Sequence, residues 1–266
     1  VPTRPPVTRW RFPESFYYTF GSRSAGISQR HEPFCLLPHP IDAMNILIFG
    51  ATGMVGKGVL RECLLDSDVE RVLTVGRAPT GTKHSKLAEM VRKDLFDYAG
   101  IENQLAGFDA CFFCLGISSA GMNEADYTRI THDMALAAAP ALLRLNPQMT
   151  FIFVSGAGAD STERGRVMWA RVKGKTENAL LRLPFKAVYV FRPAIIQPLH
   201  GIQSKTPGYR LVYAVAKPLL PIARRLFPNY VLTTEQIGRA MLAAAKRGAA
   251  KPILEAPDIR ALSKPA

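Results

Sequence analysis

The chain has 266 residues, 48% of them hydrophobic and 21% charged, with a formal net charge of +13. That length and balance suit one α/β domain with a modest extension, able to bury a core without disulfides or metals, and exclude a fibrous or wholly disordered chain. The basic residues are spread along the sequence, with no zinc-finger spacing, RNA-binding signature or arginine-rich block. The charge therefore reads as a solvated basic surface plus a local anion site, with no nucleic-acid partner.

Residues 1–43 are rich in Pro and Arg, with scattered aromatics and neither helical nor strand periodicity. They read as a poorly ordered leader, and Met44, directly before the first apolar run, reads as the natural start. A short targeting or interaction arm is the alternative, although Glu14, Glu32 and the prolines argue against a transit peptide. The N-terminus lacks the order of a signal peptide, and no apolar run is long enough for an ordinary spanning helix.

From Met44 strands and helices alternate. The pattern predicts strands at 45–49, 71–75, near 90–93, at 110–114, 150–154 and 187–191. It predicts helices near 54–65, 97–105, 124–145 (with a kink at Pro140), 164–183 and 234–246. The strands are nearly continuous Val/Ile/Leu/Phe runs, as a sheet covered on both faces requires. The fold class is thus α/β: a doubly wound parallel sheet of the Rossmann type, spanning 44–256, with a small C-terminal cap from about residue 193 and a frayed tail at 257–266.

The four cysteines include Cys111 and Cys114, spaced as CxxC inside an apolar strand. Strand alternation sends residues three apart to opposite faces, so no redox pair or metal site is expected there. Cysteine usage fits a reducing cytoplasm, which is the expected location.

Strand one ends in Gly50-Ala51-Thr52-Gly53-Met54-Val55-Gly56, and a helix begins within it. Strand, tight turn and helix form a receptor for a dinucleotide pyrophosphate. Gly50 turns off the strand, Gly53 leaves room for the phosphates, and Gly56 lets the helix pack closely. Thr52, Met54 and Val55 complete the phosphate loop. An NAD binder places an acid at the end of strand two to take the ribose hydroxyls. Here the segment is Val75-Gly76-Arg77. A guanidinium there suits a 2′-phosphate, so NADP(H) is preferred over NAD(H). Lys83 and Lys86 add positive potential. Asp94-Leu95 and Leu115-Gly116, at the next strand ends, lie where cofactor binds, with a simple turn role as the alternative for Asp94.

These residues resemble the short-chain dehydrogenase/reductase superfamily in its atypical, NAD(P)-binding branch, and within it the Tat-interacting-protein-like and nucleoside-diphosphate-sugar-epimerase-like proteins. The similarity runs from Met44 to about Ala249 through the glycine motif, Gly76-Arg77, Asp94-Leu95, Cys114-Leu-Gly116, Phe153-Val-Ser155 and the Lys173 helix. It implies that Ser155 orients a substrate carbonyl, that Lys173 holds the nicotinamide ribose, and that Pro193 borders the nicotinamide. It also implies a Tyr four residues before the Lys. This chain has Trp169 there, and indole N–H donates without titrating.

Three readings follow: a non-catalytic NADP(H)-binding sensor or assembly factor; an oxidoreductase using Lys173, Lys175 or water as proton source; or a site reached by Tyr127. The substrate is an unspecified small molecule, and a homodimer is compatible with the resemblance. Tyr209 to Phe227, apolar with basic punctuation, reads as a lid or packed helix pair, with a membrane-surface helix as the minor alternative.

Overall fold

A computed structural model of the chain describes residues 43–202, 225 and 229–265. The leader and, apart from Arg225, the Tyr209–Phe227 segment lie outside the described residues. The elements in chain order are β1 (Met44–Phe49), α1 (Met54–Leu65), β2 (Val69–Gly76), β3 (Leu87–Val91), α2 (Glu102–Leu105) and β4 (Ala110–Phe113). After these come α3 (Glu124–Thr128), a π-helical turn (Arg129–Asp133), α4 (Met134–Leu145), β5 (Thr150–Val154), α5 (Met168–Leu181) and β6 (Ala187–Arg192). The C-terminal part holds β7 (Ile195–Gln197), β8 (Val231–Thr233), α6 (Thr234–Arg247), β9 (Ile253–Glu255) and α7 (Ala256–Leu262).

Seven strands form one sheet in the order β3-β2-β1-β4-β5-β6-β9, and every pairing in it is parallel. The order reverses between β1 and β4, which is where ligands bind in such sheets. Strand alternation divides the core into two layers. Ile46 and Ile48 face α1, α6 and α7, among Val59, Leu60, Ile237, Met241 and Ile259. Leu47 and Phe49 face the other side, among Leu105, Ala135, Ala138, Leu142 and Leu180. The sheet is therefore doubly wound.

Cys111 belongs to the second layer and Cys114 to the first. Burial pushes both thiols well above the usual range, so neither is a ready nucleophile.

The C-terminal part differs from the sequence reading. The expected frayed end from Pro257 is largely helix α7, started by a Glu255–Asp258 capping box and anchored by the fully buried Ile259. Strand β9 joins the main sheet beside β6. A three-residue strand is too short to show a period, and Glu255 ends it in a charge. The helix expected over 97–105 shrinks to Glu102–Leu105 because Asp97 makes a local turn, accepting from the Ala99 N–H. In the long helix the chain continues helically through Pro140, and the irregularity is the π turn at Arg129–Asp133.

Phe113 lies at the middle of an aromatic cluster, with ring centroids 5.3 Å from Phe49, 5.9 Å from Phe151 and 6.1 Å from Phe153. Phe113→Ala is expected to cost about 3–5 kcal/mol, read as a lowered urea midpoint.

Candidate cofactor and active site

The turn after β1 is fixed by close backbone contacts. Gly50 has φ +77°, and a Cβ there would meet the Cys114–Leu115 backbone at 2.8 Å. A Cβ on Gly56 would fall 2.2 Å from the Gly50 carbonyl oxygen. Only glycine fits either place. Gly53 differs: a Cβ there would meet only the Gly50 oxygen, at 3.3 Å. Gly53 caps α1, with its N–H donating to Gly50 at 2.9 Å. No side chain caps this helix, and its first turn holds no acidic residue. Among the described residues the α1 N-terminus thus keeps its first N–H groups and the positive end of its dipole without a capping side chain. These residues fit a pyrophosphate. Thr52, Met54 and Val55 are half-buried around it.

Phe49 pairs with Val75, so the glycine turn and the Gly76–Arg77 end of β2 share one sheet edge. Arg77 is exposed there. Lys57, one residue past Gly56, is also exposed, and lines a groove of about 430 Å³ with Arg61, Thr80, Thr82, His84 and His200. Its position directly after the glycine motif was the available sequence signal, and the sequence reading missed it.

Lys86 is not at this edge. It precedes the start of β3, and its ammonium donates to the carbonyl of Asp66 after α1, at 2.7 Å. The chain has returned to the opposite end of the sheet by that point. Asp94 accepts from the Phe96 N–H at 2.8 Å, a local turn bond, and Leu95 is buried in the core. Leu115 is half-buried and Gly116 exposed, with open space where a Cβ would stand.

The β5–α5 unit brings the remaining residues together. Trp169, Lys173 and Glu177 recur every four residues and share one face of α5. The Trp169 indole lies over the turn after β5, where a Cβ on Gly158 would touch it at 3.6 Å. The Lys173 ammonium sits 5.5 Å from the centroid of Phe153. Ser155, two residues beyond Phe153, is buried and its hydroxyl donates to Glu177 Oε1. Burial lowers the Lys173 ammonium from 10.5 to about 8, against the raising effect of the Glu177 charge.

Sequence reasoning did not single out Glu177 or Arg192. Glu177 is fully buried. Arg192, at the end of β6, donates from Nε to Glu177 Oε1 at 3.1 Å and from Nη2 to Oε2. It also reaches Glu255 at 3.2 Å and the Ser161 hydroxyl at 2.7 Å. Glu177 raises the Arg192 guanidinium further above its ordinary range. A charge closing the apolar run of β6 directly before Pro193, and an acid four residues past Lys173, were the available signals. Pro193 is buried, and its carbonyl accepts from the Ala157 N–H at 3.0 Å, joining the turns after β5 and β6. Tyr127 is buried at 2% exposure in α3.

A glycine turn, an uncapped helix start and a Ser/Lys pair at the carboxyl edge of a doubly wound sheet define a nicotinamide-dinucleotide-binding Rossmann protein. Residues 50–181 match the family model described as NAD(P)H-binding. The chain is 30% identical over 157 residues to FMP52-2 of Scheffersomyces stipitis, covering 58% of this chain and 67% of that protein. It is 27% identical over 204 residues to HTATIP2 of Rattus norvegicus, covering 70% and 81%. Among solved structures, the Bordetella bronchiseptica enzyme WbmF in complex with NAD+ superposes with a TM-score of 0.58 at 13% identity, covering 83% of this chain and 77% of that one. The chain belongs to the NAD(P)H-binding family that it shares with these relatives, and its fold is the one found in short-chain dehydrogenase and sugar-nucleotide epimerase structures. The comparisons correct one expectation: matched fungal relatives are named mitochondrial proteins, which overturns the cytoplasmic location drawn from cysteine usage. Buried thiols report the fold's interior and carry no address.

Gly56→Ala is expected to destabilise the fold by about 3 kcal/mol, because the added carbon meets backbone that cannot rotate away. Gly116→Ala, facing open space, is expected to leave the melting temperature within a degree or so of the native value.

Proposed function

We propose that the protein is an NADP(H)-dependent oxidoreductase acting on a small carbonyl or alcohol, with Lys173 as the proton source. The observation that carries the cofactor assignment is the exposed Arg77 at the end of β2, on the same edge as the glycine turn. The position that would hold an acid in an NAD binder holds a guanidinium, which pairs with a 2′-phosphate through charge-assisted bonds. Lys57 adds a second cation. Gly50, Thr52, Gly53, Met54, Val55 and Gly56 take the pyrophosphate, and Leu115, Gly116 and Pro193 line the path toward the nicotinamide. The fungal relatives' names support a mitochondrial location.

The bound nicotinamide supplies or accepts the hydride. The chain's own part is the proton. Trp169 cannot titrate and serves as an apolar wall over the turn after β5. Lys173, lowered to about 8 by burial, is mostly protonated at neutral pH and exchanges its proton near the working range. The same helix face carries Glu177, which binds the Ser155 hydroxyl. The non-catalytic sensor remains the second reading, favoured by Trp169 in the tyrosine position and by the engagement of the Ser155 hydroxyl with Glu177.

Arg77→Glu is expected to weaken NADPH binding at least about tenfold more than NADH binding in calorimetric titration. Equal losses would remove the 2′-phosphate assignment. With Lys173 as acid, carbonyl reduction is expected to be fastest below about pH 8 and to fall as pH rises and the ammonium loses its proton. Trp169→Tyr is expected to raise turnover of generic carbonyls and move that alkaline limb. No gain in a folded, cofactor-bound Trp169→Tyr variant would favour the sensor reading.

A further inference from the structure

Glu177 is fully buried, yet two groups, Ser155 and Arg192, converge on it, and two more, Glu255 and Ser161, hold Arg192. Ser155, just past β5, donates its hydroxyl to Oε1. Arg192, on β6, occupies both carboxylate oxygens. The far side of Arg192 is held by Glu255 of β9 and by Ser161 in the loop before α5. The Arg192 side chain is 12% exposed and the Glu177 side chain 0%. Burying such a pair adds little net stability over an apolar substitute of the same shape. A second consequence of the arrangement concerns Ser155, which has one proton and two lone pairs.

We propose that Glu177 is a positioning residue of the cleft: its carboxylate takes the only proton of Ser155 in a hydrogen bond, so Ser155 meets the ligand as an acceptor. A charge-assisted hydroxyl–carboxylate bond is roughly twice as strong as a bond to a neutral carbonyl. A ketone oxygen therefore does not draw the proton away. The ligand group that satisfies Ser155 is a donor, which makes the alcohol the preferred partner of this residue. A carbonyl oxygen is left to the Lys173 ammonium. Arg192 holds the carboxylate in place and touches no ligand itself.

The test has two arms, both on the full chain. The first needs no cofactor. A buried hydroxyl bound to a carboxylate exchanges slowly with water, and its proton is expected as a downfield NMR resonance that is absent in Ser155→Ala. In Glu177→Gln, which keeps the shape and one acceptor oxygen, that resonance is expected to move upfield or vanish. An unchanged resonance in a folded Glu177→Gln variant would overturn the proposal.

The second arm rests on the cofactor cleft proposed above. NADP+-saturated protein is titrated with tert-butanol and with acetone, neither of which can react with the oxidised cofactor. The native protein is expected to prefer the alcohol by about tenfold, the order of one buried hydrogen bond. Glu177→Gln and Ser155→Ala, the latter leaving the Glu177–Arg192 pair intact, are expected to abolish that preference. An alcohol preference that survives in Ser155→Ala would overturn the proposal. Failure of NADP+ to bind would sink the cofactor reading, and the hydroxyl resonance would still decide the role of Glu177.

Discussion

The structure depends first on the approach of helix α1 to the end of strand β1. With Gly50 and Gly56 in near contact, the helix starts directly over the strand's carboxyl edge, and its N-cap, Gly53, has no side chain to cover its first N–H groups. Local chain stiffness and packing enforce this arrangement together. The helix is held from behind by α6, through the shared core of Val59, Leu60, Ile237 and Met241. The anion site is therefore built from backbone and dipole and is supported by the apolar layer beneath it. That is why the C-terminal elements belong to the domain as much as the glycine motif does.

A second, polar framework lies across the switch point. Ser155, Glu177, Arg192 and Glu255 join β5, α5, β6 and β9, while Ala157 and Pro193 join two of the turns. Buried charges are tolerated there because each is paired and hydrogen-bonded. The same framework sets the environment of Lys173. Desolvation pulls its ammonium down, and the Glu177 charge four residues on opposes that pull. Trp169 then closes the helix face over Gly158. In the proposed mechanism, a lysine in this setting takes over the proton that the tyrosine hydroxyl carries in related enzymes.

The sheet and the glycine turn were legible in the sequence because both rest on local signals. Runs such as Ile46–Phe49 and Phe151–Val154 are apolar on both faces, and glycine spacing reports backbone contact directly. Arg77 stands directly after β2, at the strand end the pattern predicts. What escaped was set by tertiary structure. Glu177 reads as an ordinary helix-surface acid, and only the packing of α5 against β5 and β6 makes it a buried hub. Strand β9 is too short to show a period. Lys86 looked close to Arg77 in sequence, but the chain crosses from one end of the sheet to the other between them. Asp94 had a cofactor reading and a turn reading, and the bond it accepts from the Phe96 N–H is the one the turn reading expects. Location was misread because buried thiols describe the fold's interior.

The central claim is that the crevice at the β1–α1 turn binds a nicotinamide dinucleotide and distinguishes it by the 2′-phosphate. Calorimetric titration of the full chain with NADPH and then NADH, at one ionic strength, tests it most directly. The account predicts saturable one-to-one binding of NADPH, at least about tenfold tighter than NADH. Preference for NADH, or no binding of either, would contradict it.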